Sequence, residues 1–239
     1  LGTTGDMYVN GICQGTPINY PTGYGVATWG SIVNGIEQVP MAQLSSGVVE
    51  VSTTFNAFAA LKNDGSVVAW GEYNRGGGLG QSSSSLSTGV VEIFSNEYAF
   101  AALRSDGSVV SWGADTKGGD SNAVASLLSS GVTEIFSTDT AFAALKSDGT
   151  VVTWGYYNAG GDSSSVASQL NSIQDIYANG FAFAALKSDG SVITWGVSNR
   201  GGDSSSVASQ LSSGVVEIFS NEYAFAALKS DGSVVTWGL

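Results

Sequence analysis

The 239-residue chain has no histidine, one cysteine and three prolines. Without imidazole it lacks the side chain that most often acts as a general base near neutral pH and most often ligates metals. Cys13 alone can close no internal disulfide and build no thiolate zinc cluster. Cations are scarce: Lys plus Arg number 8 against 20 for Asp plus Glu, a net charge of -12. A protein that grips a nucleic-acid backbone needs many cations to displace counterions, so nucleic acid is not an expected partner. No apolar run approaches the ~20 residues that cross a bilayer, and no basic amphipathic stretch offers a surface anchor, so direct membrane insertion is not expected. The chain opens at Leu1 with neither an initiator Met nor a signal-peptide layout, which reads as a processed product or a piece of something longer. These absences point away from catalysis: no catalytic residue, no cofactor and no metal site is expected.

What is present is repetition. Apolar residues make up 43% of the chain, enough to bury a sizeable core. Each of the six tryptophans, Trp29, Trp70, Trp112, Trp154, Trp195 and Trp237, precedes a glycine, at spacings of 41, 42, 42, 41 and 42 residues. Val90–Gly113 and Val215–Gly238 are nearly identical in text.

One unit contains three apolar runs, read in the last copy as Val215–Phe219, Ala224–Leu228 (AFAAL) and Ser233–Trp237. Asp231-Gly232 separates the last two and predicts a tight hairpin, as do Asp64-Gly65, Asp106-Gly107, Asp148-Gly149 and Asp189-Gly190. In AFAAL, Phe225 and Ala227 share one face and Ala226 and Leu228 the other, so the strand is expected to be buried on both sides. Between units, Asp203 and Gly214 bracket a Ser-rich stretch with Val207 and Leu211 four apart, which predicts a two-turn helix capped by the Asp. Asp120 and Asp162 occupy the same place in their units.

Small sheets repeating at this period predict an all-β, β-propeller-like ring of about six blades, or five, with a short helical turn between blades. Residues 1–30 read as an irregular capping or partial blade, and residues 31–239 as five tandem repeats of the same domain. An open superhelical array is the third arrangement. The pattern V-x-I, AF-A-AL and DG-x-V-x-x-WG resembles the RCC1-type repeat, and Trp70–Gly80 is similar to that family's WG-x-N-x-x-GQLG segment. The resemblance implies a propeller, and it implies a guanine-nucleotide exchange regulator as one function. These units are shorter than that family's, lack its Gly-His before the second strand, and replace Gly-Gln-Leu-Gly by Gly-Gly-Asp in three copies.

Repetition also weighs against chemistry. Glu50, Glu92, Glu134 and Glu217 share one position, whereas acid–base pairs need environments that drive their pKa values apart. Lys62, Arg104, Lys146, Lys187 and Lys229 each follow AFAAL and are expected to neutralise the turn Asp or shield strand ends. The serines have no imidazole to activate them. The Gly-Gly-Asp segments match no calcium-loop spacing and are accounted for as caps. Gly76–Gly80 lacks the Lys-Ser/Thr of a phosphate loop. The recurring tryptophans are expected in blade-to-blade cores.

Copies that agree in their strands differ in two loops, one before AFAAL and one after WG. Strand tracing puts both on one rim, opposite the Asp-Gly turns. That rim carries Tyr73, Arg75, Tyr98, Lys117, Tyr156, Tyr157, Phe181, Arg200 and Tyr223, a composition suited to protein interfaces. The expected function is therefore a protein-interaction scaffold or accessory subunit of a larger assembly. Given the acidic total, its partner should carry basic patches. A carbohydrate-binding or extracellular structural module is the alternative class, with glycan as ligand.

Overall fold

The computed structural model describes the backbone of residues 7–9, 12–14 and 36–37, and residues 39–239 with their side chains. The irregular first blade expected over residues 1–30 lies outside the described residues, apart from a hairpin of β1 (Met7–Val9) and β2 (Ile12–Gln14). After β3 (Ile36–Glu37) and the one-turn helix α1 (Met41–Leu44), five antiparallel sheets follow, one per repeat.

Blade 1 is β4 (Val48–Thr53), β5 (Ala57–Lys62) and β6 (Val67–Glu72), with β3 added along β6 as a fourth strand. Blade 2 is β7 (Val90–Ser95), β8 (Ala99–Arg104) and β9 (Val109–Gly113). Blade 3 is β10 (Val132–Ser137), β11 (Ala141–Lys146) and β12 (Val151–Gly155). Blade 4 is β13 (Ile173–Ala178), β14 (Ala182–Lys187) and β15 (Val192–Gly196). Blade 5 is β16 (Val215–Ser220), β17 (Ala224–Lys229) and β18 (Val234–Gly238). The order within each is first–second–third strand, and the same register recurs, with Phe100 opposite Trp112 in blade 2 and Phe142 opposite Trp154 in blade 3.

The Asp-Gly pairs form the hairpins. In blade 2, Asp106 Oδ1 accepts the Ser108 N–H at 2.9 Å and its hydroxyl at 2.6 Å, while Gly107 takes φ +76°. A side chain in that left-handed region is strained, which is why glycine follows the Asp.

The core lies between blades. In the junction of blades 2 and 3, Ala99, Ala101 and Leu103 of β8 meet Val132, Ile135, Phe142, Ala144 and Trp154 of blade 3, with Leu128 of the linker wedged between them. The same cluster forms at the other three junctions. The alanines of AFAAL let neighbouring sheets approach, and each buried Phe or Leu contributes about 1.5–3 kcal/mol. The expected burial on both faces holds for β8, β11 and β14, whereas the outward face of β17 is half-exposed. First strands approach one another along the inner edge: Ser137 Oγ donates to the Ser95 carbonyl at 3.0 Å.

Two local expectations are corrected. The Ser-rich linkers are 3₁₀ turns, such as Asn122–Val124 and Ser205–Val207, and not two-turn α-helices. Serine hydroxyls compete for backbone groups, and one Val and one Leu per linker give little apolar stripe to hold a longer helix. The Asp is not the N-cap: it precedes Ser204, which is, and its Oδ1 accepts the Ser205 N–H at 2.9 Å in an Asx turn. The cations after AFAAL mostly tie linker carbonyls. Lys62, Lys146 and Lys229 donate to the carbonyls of Gln43, Leu127 and Gln210 at 2.7, 2.8 and 2.6 Å. Among the described residues only Arg104 pairs with its turn Asp, at 3.6 Å from Asp106.

Candidate functional site: the loop-bearing rim

The two variable loops of each blade are bonded to each other. The residue three before AFAAL is Thr54, Asn96, Thr138, Asn179 or Asn221. Asn96 Oδ1 accepts the N–H groups of Tyr98 and Ala99, both at 2.8 Å, and its Nδ2 donates to the Lys117 carbonyl at 2.8 Å. Asn179 reaches the Arg200 carbonyl at 2.8 Å, and Thr138 the Ala159 carbonyl at 3.0 Å. The loop before the second strand and the loop after WG therefore share one rim, with the Asp-Gly turns at the opposite end.

Neighbouring blades then interlock through cations on aromatic faces. Arg75, after β6, lies over the Tyr98 ring of blade 2 at 4.2 Å, and Lys117 lies 3.5 Å over Tyr156 of the following blade. Arg200 lies 4.0 Å over Tyr223, which stacks on Phe181 at 5.8 Å. Such contacts are worth about 0.5–1 kcal/mol at exposed sites. Eight of the nine expected rim residues enter this ladder, since Tyr157 packs on Tyr156 at 5.1 Å. They form two sets, one over blades 1–3 and one over blades 4–5. Thr140 takes the aromatic's place in blade 3 and Ala159 the cation's. Tyr73 stands apart, 57% exposed, with no aromatic or cation partner among the described residues.

Sequence reading missed the middle position of the loop before the second strand: Phe55, Glu97, Asp139, Gly180 and Glu222. These form a staircase across blades, with Phe55 N–H donating to the Glu97 carbonyl, Glu97 to Asp139 and Asp139 to Gly180, at 3.1, 3.2 and 3.1 Å. Beside it lies a depression of about 370 Å³, lined by Thr54, Phe55, Asn96, Glu97, Asp139 and Asn179 among others. Partial burial pushes the Glu97 carboxyl above the usual range, and the Asp139 carboxylate adds to this. Burial, then Glu222, does the same to Asp139. Gly180 keeps the space open, because a Cβ there would sit 2.8 Å from Asp139 Oδ2. The visible signal was the swing at this one position from Phe to acid to Gly among otherwise matching copies.

The tryptophans are structural. Trp112, Trp154, Trp195 and Trp237 are 2–5% exposed, and each Nε1–H donates to a glycine carbonyl of the preceding linker, Gly76, Gly118, Gly160 and Gly201, at 3.0–3.1 Å. Among the described residues no group of three or more Cys, Asp and Glu side chains is placed to hold a metal ion.

These blades, with their Asp-Gly hairpins and Trp-Gly third strands, form a β-propeller fold whose repeats resemble the RCC1 type. The chain is similar to human WBSCR16, at 19% identity and a TM-score of 0.50 over 84% of its own length. It is also similar to Prp20p of Saccharomyces cerevisiae, the yeast RCC1 protein, at 18% identity and 0.49 over 80%. The ectodomain of the Physcomitrella patens receptor kinase CR4 aligns at 16% identity and 0.47 over 80%. The chain spans 63%, 58% and 52% of those three structures. No family model and no curated protein matches it.

Proposed function

We propose that this chain is a non-enzymatic protein-interaction scaffold or accessory subunit that binds a basic partner on its loop-bearing rim. The observation that carries this reading is the pairing of two features on that rim. Aromatic side chains are held in place by cations from the neighbouring blade, and an open acidic depression lies beside them. Ordered aromatics lose little entropy on binding, and Tyr and Arg are the usual anchors of interfaces. Glu97 and Asp139 supply the charge that a basic side chain would satisfy.

The test compares material captured from the source organism by the native chain, by Tyr156→Ala/Tyr157→Ala, and by Asn63→Ala on the turn side. A stoichiometric protein should stay with the native chain and Asn63→Ala and be lost from the tyrosine variant, whose melting temperature drops only by the roughly 2–4 °C that one lost exposed cation–π contact implies. Equal retention by the tyrosine variant overturns the rim reading. Glycan binding in place of protein capture moves the function to the carbohydrate-binding class.

A further inference from the structure

The rim sets one place for a cation at a blade junction, and at one junction the chain puts an alanine there. The place is the last residue of the turn after WG. What it covers is the aromatic just before the second strand of the next blade. Arg75 fills it over Tyr98 at 4.2 Å, and Arg200 over Tyr223 at 4.0 Å. The cation of a ring's own blade lies farther off, Lys117 at 6.0 Å from Tyr98 and Arg200 at 5.5 Å from Phe181. Between blades 2 and 3 the ring is missing, and Lys117 turns to Tyr156 instead.

Between blades 3 and 4 the ring is present and the cation is not. Phe181 is half-buried, and Ala159 stands where Arg75 and Arg200 stand. A carboxylate waits there as well. At the complete junctions an acid precedes the covered ring, Glu97 before Tyr98 and Glu222 before Tyr223. Burial and then Asp139 push the Glu97 carboxyl up, and Arg75 opposes them. In blade 4 the acid's position is Gly180, and Asp139 of blade 3 leans into the room it leaves, its Oδ2 2.8 Å from where a Cβ would stand. From there Asp139 acts on the neighbouring ring pair: the Tyr223 hydroxyl, raised first by its bond to Glu222, is raised further by Asp139. Among the described residues no Lys or Arg pairs with Asp139. Tyr157, in the same 3₁₀ turn as Ala159, is 63% exposed.

We infer, resting on the rim reading above, that the place between Ala159 and Phe181 takes an arginine side chain of the partner protein, its guanidinium flat on the Phe181 ring and bonded to the Asp139 carboxylate. Arginine is the cation the chain itself lays on both covered rings of this kind. A planar guanidinium can stack on a ring and pair with a carboxylate at once, whereas a lysine ammonium is a compact, strongly hydrated charge. The partner thereby completes an arrangement that the chain completes for itself at two other junctions.

Titration of the full chain with N-acetylarginine amide, followed in the backbone amide NMR spectrum, tests this. The Gly180 and Phe181 signals should shift with arginine, several-fold less with N-acetyllysine amide, and not with N-acetylcitrulline amide, which keeps the plane and loses the charge. Ala159→Arg fills the place from within, so it should raise the melting temperature by roughly 2–4 °C and weaken the arginine response at least tenfold. Asp139→Asn should weaken the response as much without that gain, and it carries the test alone should Ala159→Arg melt early. No response to arginine, an equal response to citrulline, or a full response in Asp139→Asn would each overturn the inference. Arginine binding with no protein captured would sink the scaffold reading and leave this place standing. A partner held by Asp139→Asn but lost from Tyr156→Ala/Tyr157→Ala would do the reverse.

Discussion

The indole of Trp154 donates to the carbonyl of Gly118 at 3.1 Å, and Gly118 in turn has the Phe142 ring against it, where a Cβ would lie 2.6 Å from Cδ2. Gly118 also holds φ +102°, a left-handed conformation that side chains rarely adopt. Three requirements therefore meet at one residue: the turn, the close approach of the ring, and the acceptor for the next blade's indole.

Gly118→Ala should consequently cost about 2–4 kcal/mol, combining backbone strain with overpacking. That lowers the melting temperature by roughly 5–15 °C for a chain of this size. Gly232→Ala is the control, since it has φ +84° but nothing within 4 Å of the added Cβ. It carries the backbone strain alone, and calorimetry should show the smaller loss. Equal losses would mean that the ring contact is readily relieved.

Asn96 makes three hydrogen bonds from a buried site, two to its own loop and one to the loop after WG. Asn96→Ala removes them all and should cost about 2–4 kcal/mol in denaturant titration, counting ~1 kcal/mol for each bond. Asn96→Thr should recover most of this. Thr138 already performs both roles at the same position, donating to the Ala159 carbonyl and accepting the Ala141 N–H, each at 3.0 Å. Asn221→Ala should cost less, because Asn221 is exposed and makes only the two local bonds.

How much of this was legible follows from how local each cause is. The Asp-Gly hairpins, the three strands and the placement of both variable loops on one rim came from the repeat spacing and from turn chemistry, which is set by neighbouring residues. The two-sided burial of AFAAL was legible because alternate positions are both apolar. The Ser-rich linkers were misread as helices, since Val207 and Leu211 four apart suit a helix and a 3₁₀ turn alike. The task of Lys146 was invisible for another reason. Its partner, the Leu127 carbonyl, lies 19 residues away and depends on how the linker folds back. Glu97 and Asp139 became a site only when three blades set one loop position side by side.

Two sets of carboxyl groups should give stability an optimum in mild acid. Each turn Asp accepts bonds from the Ser or Thr two residues on, through hydroxyl first and backbone second. This holds Asp64, Asp106, Asp148, Asp189 and Asp231 below the ordinary Asp value of 3.8. A depressed carboxyl contributes stability that is present above 3.8 and is lost as pH falls through the folded value. Glu50 and Glu134 behave oppositely. Burial pushes both above the ordinary 4.5, and neighbouring first-strand acids add to this, Glu92 for Glu50 and Asp175 then Glu92 for Glu134. For a raised carboxyl the ionised form is disfavoured in the folded state, so stability declines as pH rises from 4.5 through the folded value. The melting temperature should therefore climb as pH drops through the folded values of these two carboxyls towards 4.5, then fall below 3.8. Glu50→Gln with Glu134→Gln should flatten the upper limb, and Ser108→Ala should shallow the lower one. Asp115→Asn, on an exposed rim linker, separates local repulsion from the general effect of removing negative charge. If it flattens the upper limb as much per charge as the Glu50 and Glu134 changes do, the net charge of -12 governs the profile and the inner-strand carboxylates do not.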